Sequence, residues 1–392
     1  VKKSVSYFLS HPIQYYTPLL QEMAKQFDLS VYYFSDASIR GNVDRDFGRP
    51  VQWDIPLLEG YSSQFIKNYS WRKSLSNRFA DLINPGVFSV LMKDNSSVVI
   101  VNGWMYCSVL FTIFFAKLRG KQVWLRADNA YHQEIRKSRK LLAVKRMILH
   151  YGLFPFVDKF LFTGVESRLF FEYYGAKKNQ LLFTPHAVDN TYFRSRFSAL
   201  KAERNTLREE LGFSREMVVI LFVGKFIKKK RPMDLLRAFQ GLPSGKVGLV
   251  MVGEGVLRKE MERFCDEQQM GNVRIVGFVN QSAISGYYSI ADIFVLCSGM
   301  GETWGLVVNE AMNFELPVVV TETCGCARDL VVDGENGFVC PEGDIAQLRG
   351  ALRKLAADEV FRTRAGKRSA AQIEAYTVEQ IVKNMAGFGW TK

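Results

Sequence analysis

Residues 293–313, I-F-V-L-C-S-G-M-G-E-T-W-G-L-V-V-N-E-A-M-N, hold a short apolar run, a glycine-rich turn and the start of an amphipathic helix. The run 293–296 reads as a buried strand, and the helix reads from Gly305 to Asn313. A strand that feeds a helix through a turn is half of a βαβ unit, and the pattern repeats on both sides of this stretch. Strands are predicted over 217–223, 247–252, 273–276, 293–296 and 317–321. Helices are predicted over 232–240, which opens on Pro232, and over 256–268, 282–289 and 305–313. Strands alternating with helices imply a parallel sheet covered on both faces.

The first half follows the same grammar. Strands are predicted over 4–9, 29–34, 97–101, 122–125, 159–162 and 180–183, and helices over 17–27 and 138–150. Residues 40–75 show no clear period. The longest apolar run, 104–116, is shorter than the roughly 20 residues a membrane span needs and reads as a buried core helix. At 392 residues, with 48% hydrophobic side chains, the chain has material for two cores. The joint is expected near 184–215. The division is residues 1–190, 191–370, and a closing helical segment 371–392.

Net charge is +13, and residues 1–200 hold 27 Lys and Arg against 15 Asp and Glu. A basic first half suits an anionic partner such as a lipid surface. The segment 136–150, R-K-S-R-K-L-L-A-V-K-R-M-I-L-H, is basic on one side and apolar on another. It reads either as an interfacial helix or as a core-packed helix with a solvated basic face. The six cysteines fit neither a zinc site nor a disulfide framework, so buried free thiols and no metal are expected. The start V-K-K-S-V-S-Y-F-L-S reads as a strand rather than a secretory leader. These features predict a cytoplasmic protein, either soluble or peripheral at the inner face of a membrane.

Four turns fall at the carboxyl edge of the second sheet, where ligands of open α/β sheets bind. In residues 299–313 the glycines admit close approach, the helix start offers N–H groups, and Glu302 and Glu310 can accept sugar or ribose hydroxyls. Thr303, Trp304, Gly305 and Leu306 belong to the same turn. The residues by themselves also fit a helix start with an acid at its N-terminus and a solvated glutamate farther on. The turn G-K-F-I-K-K-K-R, 224–231, brings Gly224, Lys225 and Lys230, two cations that could neutralise a diphosphate, or a solvated basic turn. V-G-E-G at 252–255 holds Gly253 and Glu254, and G-F-V-N at 277–280, with Phe278, could lend backbone groups to a planar base, though each also fits a plain strand-to-helix turn. Neither a dinucleotide fingerprint nor a Walker lysine loop is present, which disfavours dehydrogenases and P-loop enzymes.

At these residues the sequence resembles glycosyltransferase family 4, retaining enzymes of the GT-B fold. Glu302 and Glu310 match its spaced glutamate pair, and Lys225 and Lys230 its basic pair. H-A-V-D-N at 186–190 and D-L-V-V-D-G-E-N-G-F at 329–338 match further. The family often has Arg at Lys225 and Glu at Asp329. The resemblance implies two doubly wound Rossmann-like domains facing a central cleft, with the donor on the second and the acceptor on the first. It assigns Glu310 to the ribose, Glu302 to the donor sugar, Lys225 and Lys230 to the diphosphate, and the amides of Gly305 and Leu306 to phosphate or sugar. On the first domain it points to Asp128 or His132 at the reaction centre, within L-R-A-D-N-A-Y-H, 125–132. His11 and Gln14 in S-H-P-I-Q-Y-Y-T-P, 10–18, would line the cleft, with His186 beside them. The surface histidine remains the alternative for His132.

The implied activity is transfer of a sugar, with retention, from a UDP-sugar or less readily a GDP-sugar. The acceptor is a glycan or a lipid-linked glycan in bacterial surface polysaccharide synthesis, and neither metal nor further cofactor is needed. The rival readings are a nucleotide-sugar epimerase of the same fold and a basic nucleic-acid-binding protein, for which no binding motif is present.

Overall fold

The computed structural model describes residues 2–39, 43–44, 49–50, 54–72, 75, 78–388 and 390. The other residues of the 40–75 stretch lie outside this set. The chain divides into two compact units. The first comprises Val1–Asn42, Pro56–His186 and Val378–Lys392, and the second Val43–Ile55 and Ala187–Thr377.

In the first unit, strands β1 (Ser4–Leu9) and β2 (Asp28–Tyr33) are followed, beyond the short ladder of β3 (Val43–Asp44) and β4 (Arg49–Pro50), by β5 (Ser62–Phe65). Then come β6 (Val98–Asn102), β7 (Gln122–Ala127), β8 (Lys159–Phe162) and β9 (Leu181–Phe183). Seven of them form one parallel sheet in the order β5-β2-β1-β6-β7-β8-β9. The closing helix Val378–Gly387 packs against the helix Thr17–Gln26 and against β9, where Asn384 Nδ2 donates to the Phe183 carbonyl at 2.9 Å. Trp390 seats its ring between Phe27 and Trp124, at 5.4 and 5.0 Å between centroids.

The run 104–116 is corrected in one respect. The helix is Cys107–Leu118, and only one side of it is core: Val109, Ile113 and Ala116 are buried, whereas Phe111, Phe114 and Leu118 are exposed. A helix lying on a sheet can bury only the stripe that faces the sheet, so an all-round apolar sequence leaves apolar side chains outside. The polar stretch expected as the joint holds two helices, Asn190–Leu200, capped by the Asp189 carboxylate on the Tyr192 N–H (2.8 Å), and Arg204–Glu210.

The second unit contains β10 (Val218–Val223), β11 (Val247–Val252), β12 (Val273–Val276), β13 (Ile293–Leu296), β14 (Val318–Thr321) and β15 (Gly337–Cys340). All are parallel, in the order β12-β11-β10-β13-β14-β15. V-V-I-L-F-V in β10 and V-G-L-V-M-V in β11 are almost wholly buried, as strands covered on both faces must be. From β10 the chain winds outward through β11 and β12, then returns to the other side of β10 for β13. The switch point therefore lies between the carboxyl ends of β10 and β13, the place where open α/β sheets bind ligands.

Candidate functional site

The turns after β10 and β13 meet at this switch point. Lys230 Nζ forms an ion pair with Glu302 Oε2, and Ser298 Oγ donates to the same oxygen at 2.9 Å. Lys229 Nζ donates to the Gly301 carbonyl at 3.2 Å, and the Gly299 N–H donates back to the Lys229 carbonyl at 2.7 Å. Burial, with Glu302 only 7% exposed, would raise its carboxyl. Lys230, Lys229 and Ser298 outweigh that and hold it below the ordinary value. A carboxylate kept anionic accepts a hydroxyl readily and is a poor proton donor. Thr323 Oγ1 donates to the Ser298 carbonyl at 2.7 Å, so the loop after β14 braces the one after β13.

Glu310 lies in the helix Leu306–Met312, which starts at Gly305. Gly305 has φ +103°, and a Cβ there would meet Leu296 Cδ2 at 2.5 Å, so glycine is required to turn β13 into this helix. Glu310 is 3% exposed, and its Oε2 accepts from the Tyr288 hydroxyl at 2.6 Å. Leu306 is half-buried at the helix start and Thr303 is exposed in the turn. Trp304 turns inward: it is 4% exposed, its Nε1 donates to Asn309 Oδ1 at 2.8 Å, and its ring lies 6.0 Å from that of Tyr376. The indole of Trp304 therefore packs in the core beneath the loop, which leaves the backbone of the turn to face a ligand.

Lys225 and Gly224 leave β10 half-buried. Gly253 contributes by closeness: at φ +152° its missing side chain is the space filled by the Gly224 carbonyl, which a Cβ would approach to 1.9 Å. Glu254 faces Arg258, whose Nη1 donates to its Oε2 at 2.7 Å. The V-G-E-G turn thus shapes the β10 turn from beneath. Gly253→Ala is expected to destabilise the second unit by about 3 kcal/mol, through clash and backbone strain, as read by denaturant unfolding. Phe278 follows β12 and is half-buried.

The first-unit candidates sit on the carboxyl ends of their own sheet. Asp128, just beyond β7, is 46% exposed on its side chain and lies 3.5 Å from His186 Nε2, just beyond β9. Burial, only partly countered by Asp128, pushes the His186 imidazole down. His11 follows β1, shares Nδ1 with Ser10 Oγ at 2.9 Å, and is pushed by burial down to about 4. Gln14 is buried, and its Oε1 has no hydrogen-bond partner among the described residues. His132 is held: its Nδ1 and its backbone N–H lie 2.8 and 2.7 Å from Glu166 Oε2. Glu166, buried at the start of the helix Val165–Tyr173, is a partner that sequence reasoning missed. Arg126 was missed as well. Its buried guanidinium donates to the Thr184 and Pro185 carbonyls at 3.3 and 3.1 Å and stacks over Tyr16 at 5.2 Å. Sequence reasoning singled out Asp128 and His132 in the same segment and ended the strand at 125, so that Arg126, which lies inside the observed strand, was passed over.

The six cysteines are free. Cys297, Cys324, Cys326 and Cys340 are buried, and burial pushes Cys324 up to about 12. No group of His, Cys, Asp or Glu suited to a metal ion occurs among the described residues.

Residues 203–372 match the family described as glycosyl transferases group 1. Over that segment the chain is similar to the group 1 glycosyltransferases. The chain is 28% identical over 214 residues to the capsular polysaccharide biosynthesis glycosyltransferase CapM of Staphylococcus aureus, covering 53% of the chain and 54% of CapM. It is 30% identical over 205 residues to a D-inositol 3-phosphate glycosyltransferase of Thermomonospora curvata, covering 49% of the chain and 47% of that protein. The chain thus spans about half the length of the curated relatives it matches. Over 98% of both chains its structure resembles Anabaena HepE in complex with UDP, with TM-score 0.74 and 18% identity. WaaG, a glycosyltransferase involved in lipopolysaccharide biosynthesis, aligns over 97% of this chain and 98% of its own, with TM-score 0.68 and 17% identity. The fold is therefore GT-B, and the Lys230–Glu302 pair and Glu310 lie within the matched segment 203–372.

Proposed function

We propose that the chain transfers a sugar from a nucleotide diphosphate donor to a hydroxyl of a glycan or lipid-linked acceptor, with retention of anomeric configuration. The observation that carries this reading is the meeting of Lys230 with Glu302 at the switch point, with Lys225 on the same turn and Glu310 on the following helix. In this reading the diphosphate draws on Lys225 and Lys230, the amides of Gly305 and Leu306 face phosphate or sugar, and Glu302 accepts a donor-sugar hydroxyl. Glu310, aimed by Tyr288, accepts from the ribose, and Phe278 borders the base. The leaving diphosphate departs on the face that the acceptor approaches, and its oxygen takes the acceptor proton, so no strong protein base is required. Positive charge at the diphosphate lowers the barrier as the bond to the sugar breaks. UDP is favoured as the nucleotide. HepE, which shares the fold, was solved with UDP and with UDP-glucose.

On the acceptor side we assign Asp128, His132, His11, Gln14 and His186. The likeness to CapM supports a place in bacterial surface polysaccharide synthesis, with the protein peripheral at the inner membrane face. A panel of UDP- and GDP-sugars is expected to raise the melting temperature of the wild type, and Glu310→Ala should abolish most of that shift. Stabilisation by no nucleotide sugar would sink the donor assignment. Turnover of the donor to an isomer without any acceptor would favour the epimerase.

A further inference from the structure

The helix Arg139–Met147 is attached to the first unit the wrong way round for a core helix. None of its residues is buried. Its inward side is Leu142, Lys145 and, one turn beyond, Leu149, with Lys145 as the anchor. The Lys145 ammonium meets Glu134 Oε1 at 2.8 Å and lies 4.8 Å from the Phe170 ring centroid, while Glu134 also accepts from Lys137 and Tyr174. The outward side carries Leu141, Val144, Met147, Ile148 and Tyr151, with Met147 59%, Ile148 57% and Tyr151 74% exposed. Arg136, Arg139, Lys140 and Arg146 are exposed around them. Between residues 135 and 157 there are six basic side chains and no acidic one. A charge turned inward and apolar side chains turned outward within a basic border is the pattern of a helix lying in a lipid interface.

A second observation extends the surface. Strands β6, β7 and β8 are adjacent and parallel, so right-handed crossovers put the helices that follow β6 and β7 on one face of the sheet. The helix Cys107–Leu118 touches the turn Phe154–Phe156, as that placement requires. On its outer side Phe111, Phe114 and Leu118 are exposed, and the helix Val87–Lys93, packed beside it, exposes Phe88 and Met92. Monomeric proteins rarely leave so many large apolar side chains on one face unless something covers them.

We infer that this face of the first unit docks on an anionic lipid leaflet, with Leu141, Val144, Met147, Ile148 and Tyr151 entering the headgroup region and the surrounding Arg and Lys pairing with lipid phosphates. The inference deepens the peripheral reading above by naming the surface, and it is independent of the transfer reaction.

The test is flotation of the full chain with phosphatidylcholine vesicles and with vesicles carrying about 30% phosphatidylglycerol, in low salt and in about 0.5 M salt. No nucleotide sugar is present, so a failure here leaves the donor reading standing, and the reverse. Binding is expected only to the anionic vesicles, weakened by salt. Two double variants, Met147→Glu with Ile148→Glu and Arg139→Glu with Lys140→Glu, are each expected to lower partition about tenfold or more while keeping the wild-type melting temperature. If the first double variant unfolds, Met147→Ser with Ile148→Ser takes its place. Absence of wild-type binding to anionic vesicles, or unchanged binding by both variants, overturns the inference. So does a vesicle-free dimer that Ile148→Glu dissolves, which would give the face to a second copy of the chain.

Discussion

Lys230→Ala is expected to lower the transfer rate about 100- to 1000-fold, roughly the loss seen when one preorganised charge-stabilising donor is removed from an active site. The substitution takes away a cation aimed at the leaving diphosphate. It also strips Glu302 of its ion-pair partner. Lys230→Arg keeps the charge but replaces a compact ammonium by a planar fork, so partial recovery is expected.

The pH profile separates the two effects. The Glu302 carboxyl sits below its ordinary value of 4.5 in the folded chain. The stabilisation it contributes is therefore complete above 4.5 and lost as pH falls through the lowered value. Without Lys230, burial becomes the leading influence and pushes the carboxyl up, so the acid limb of kcat/KM should move to higher pH. Glu302→Gln in the wild-type background removes that limb, and in a double-mutant cycle its cost should not add to that of Lys230→Ala. Near-normal transfer by Lys230→Ala would remove this pair from the mechanism.

Five of the six strands of the second unit could be read almost residue by residue, because a strand buried on both faces must be nearly all apolar, whereas β15 (Gly337–Cys340), at the edge of the sheet, was not among those expected. V-V-I-L-F-V and I-F-V-L are such runs, and the observed bounds fall within one residue of those expected. The edge strand β5 could not be read: S-S-Q-F is only half-buried and carries no apolar alternation. The outward Phe111 and Phe114 were hidden for the opposite reason, since a helix apolar all round gives no sign of which side meets the sheet. At the site, the charged residues stood out as Lys225, Lys230, Glu302 and Glu310, yet the pairing of Lys230 with Glu302 spans 72 positions and depends on β10 lying beside β13. The hydroxyls that aim the carboxylates, Ser298 and Tyr288, leave no pattern in a sequence. Likewise, the carboxylate that holds His132 comes from Glu166, 34 positions away.

The second large effect concerns how that β10–β13 adjacency is held. Asp292, immediately before β13, accepts at Oδ2 from the Val219 N–H of β10 at 2.7 Å, and its own N–H donates to the Val219 carbonyl at 2.8 Å. The same carboxylate takes Arg208 Nη2 and Arg204 Nη2, each at 2.6 Å. The Arg208 side chain is 4% exposed and also donates to the Ile290, Arg215 and Met217 carbonyls. Asp292→Ala would leave that guanidinium buried without its counter-charge and the Val219 N–H without its side-chain acceptor. Breaking one side of a buried pair costs about 3–5 kcal/mol, a large share of the roughly 5–15 kcal/mol that holds a domain folded. Asp292→Asn keeps an acceptor oxygen and should lose less. Guanidinium denaturation would measure both, and a change under about 1 kcal/mol for Asp292→Ala would contradict the assignment. The pair sits at the amino end of the two strands whose carboxyl ends carry Lys230 and Glu302. A partly loosened β10–β13 ladder should therefore weaken donor binding by Asp292→Asn even where the protein stays folded, although the substitution touches no residue of the site.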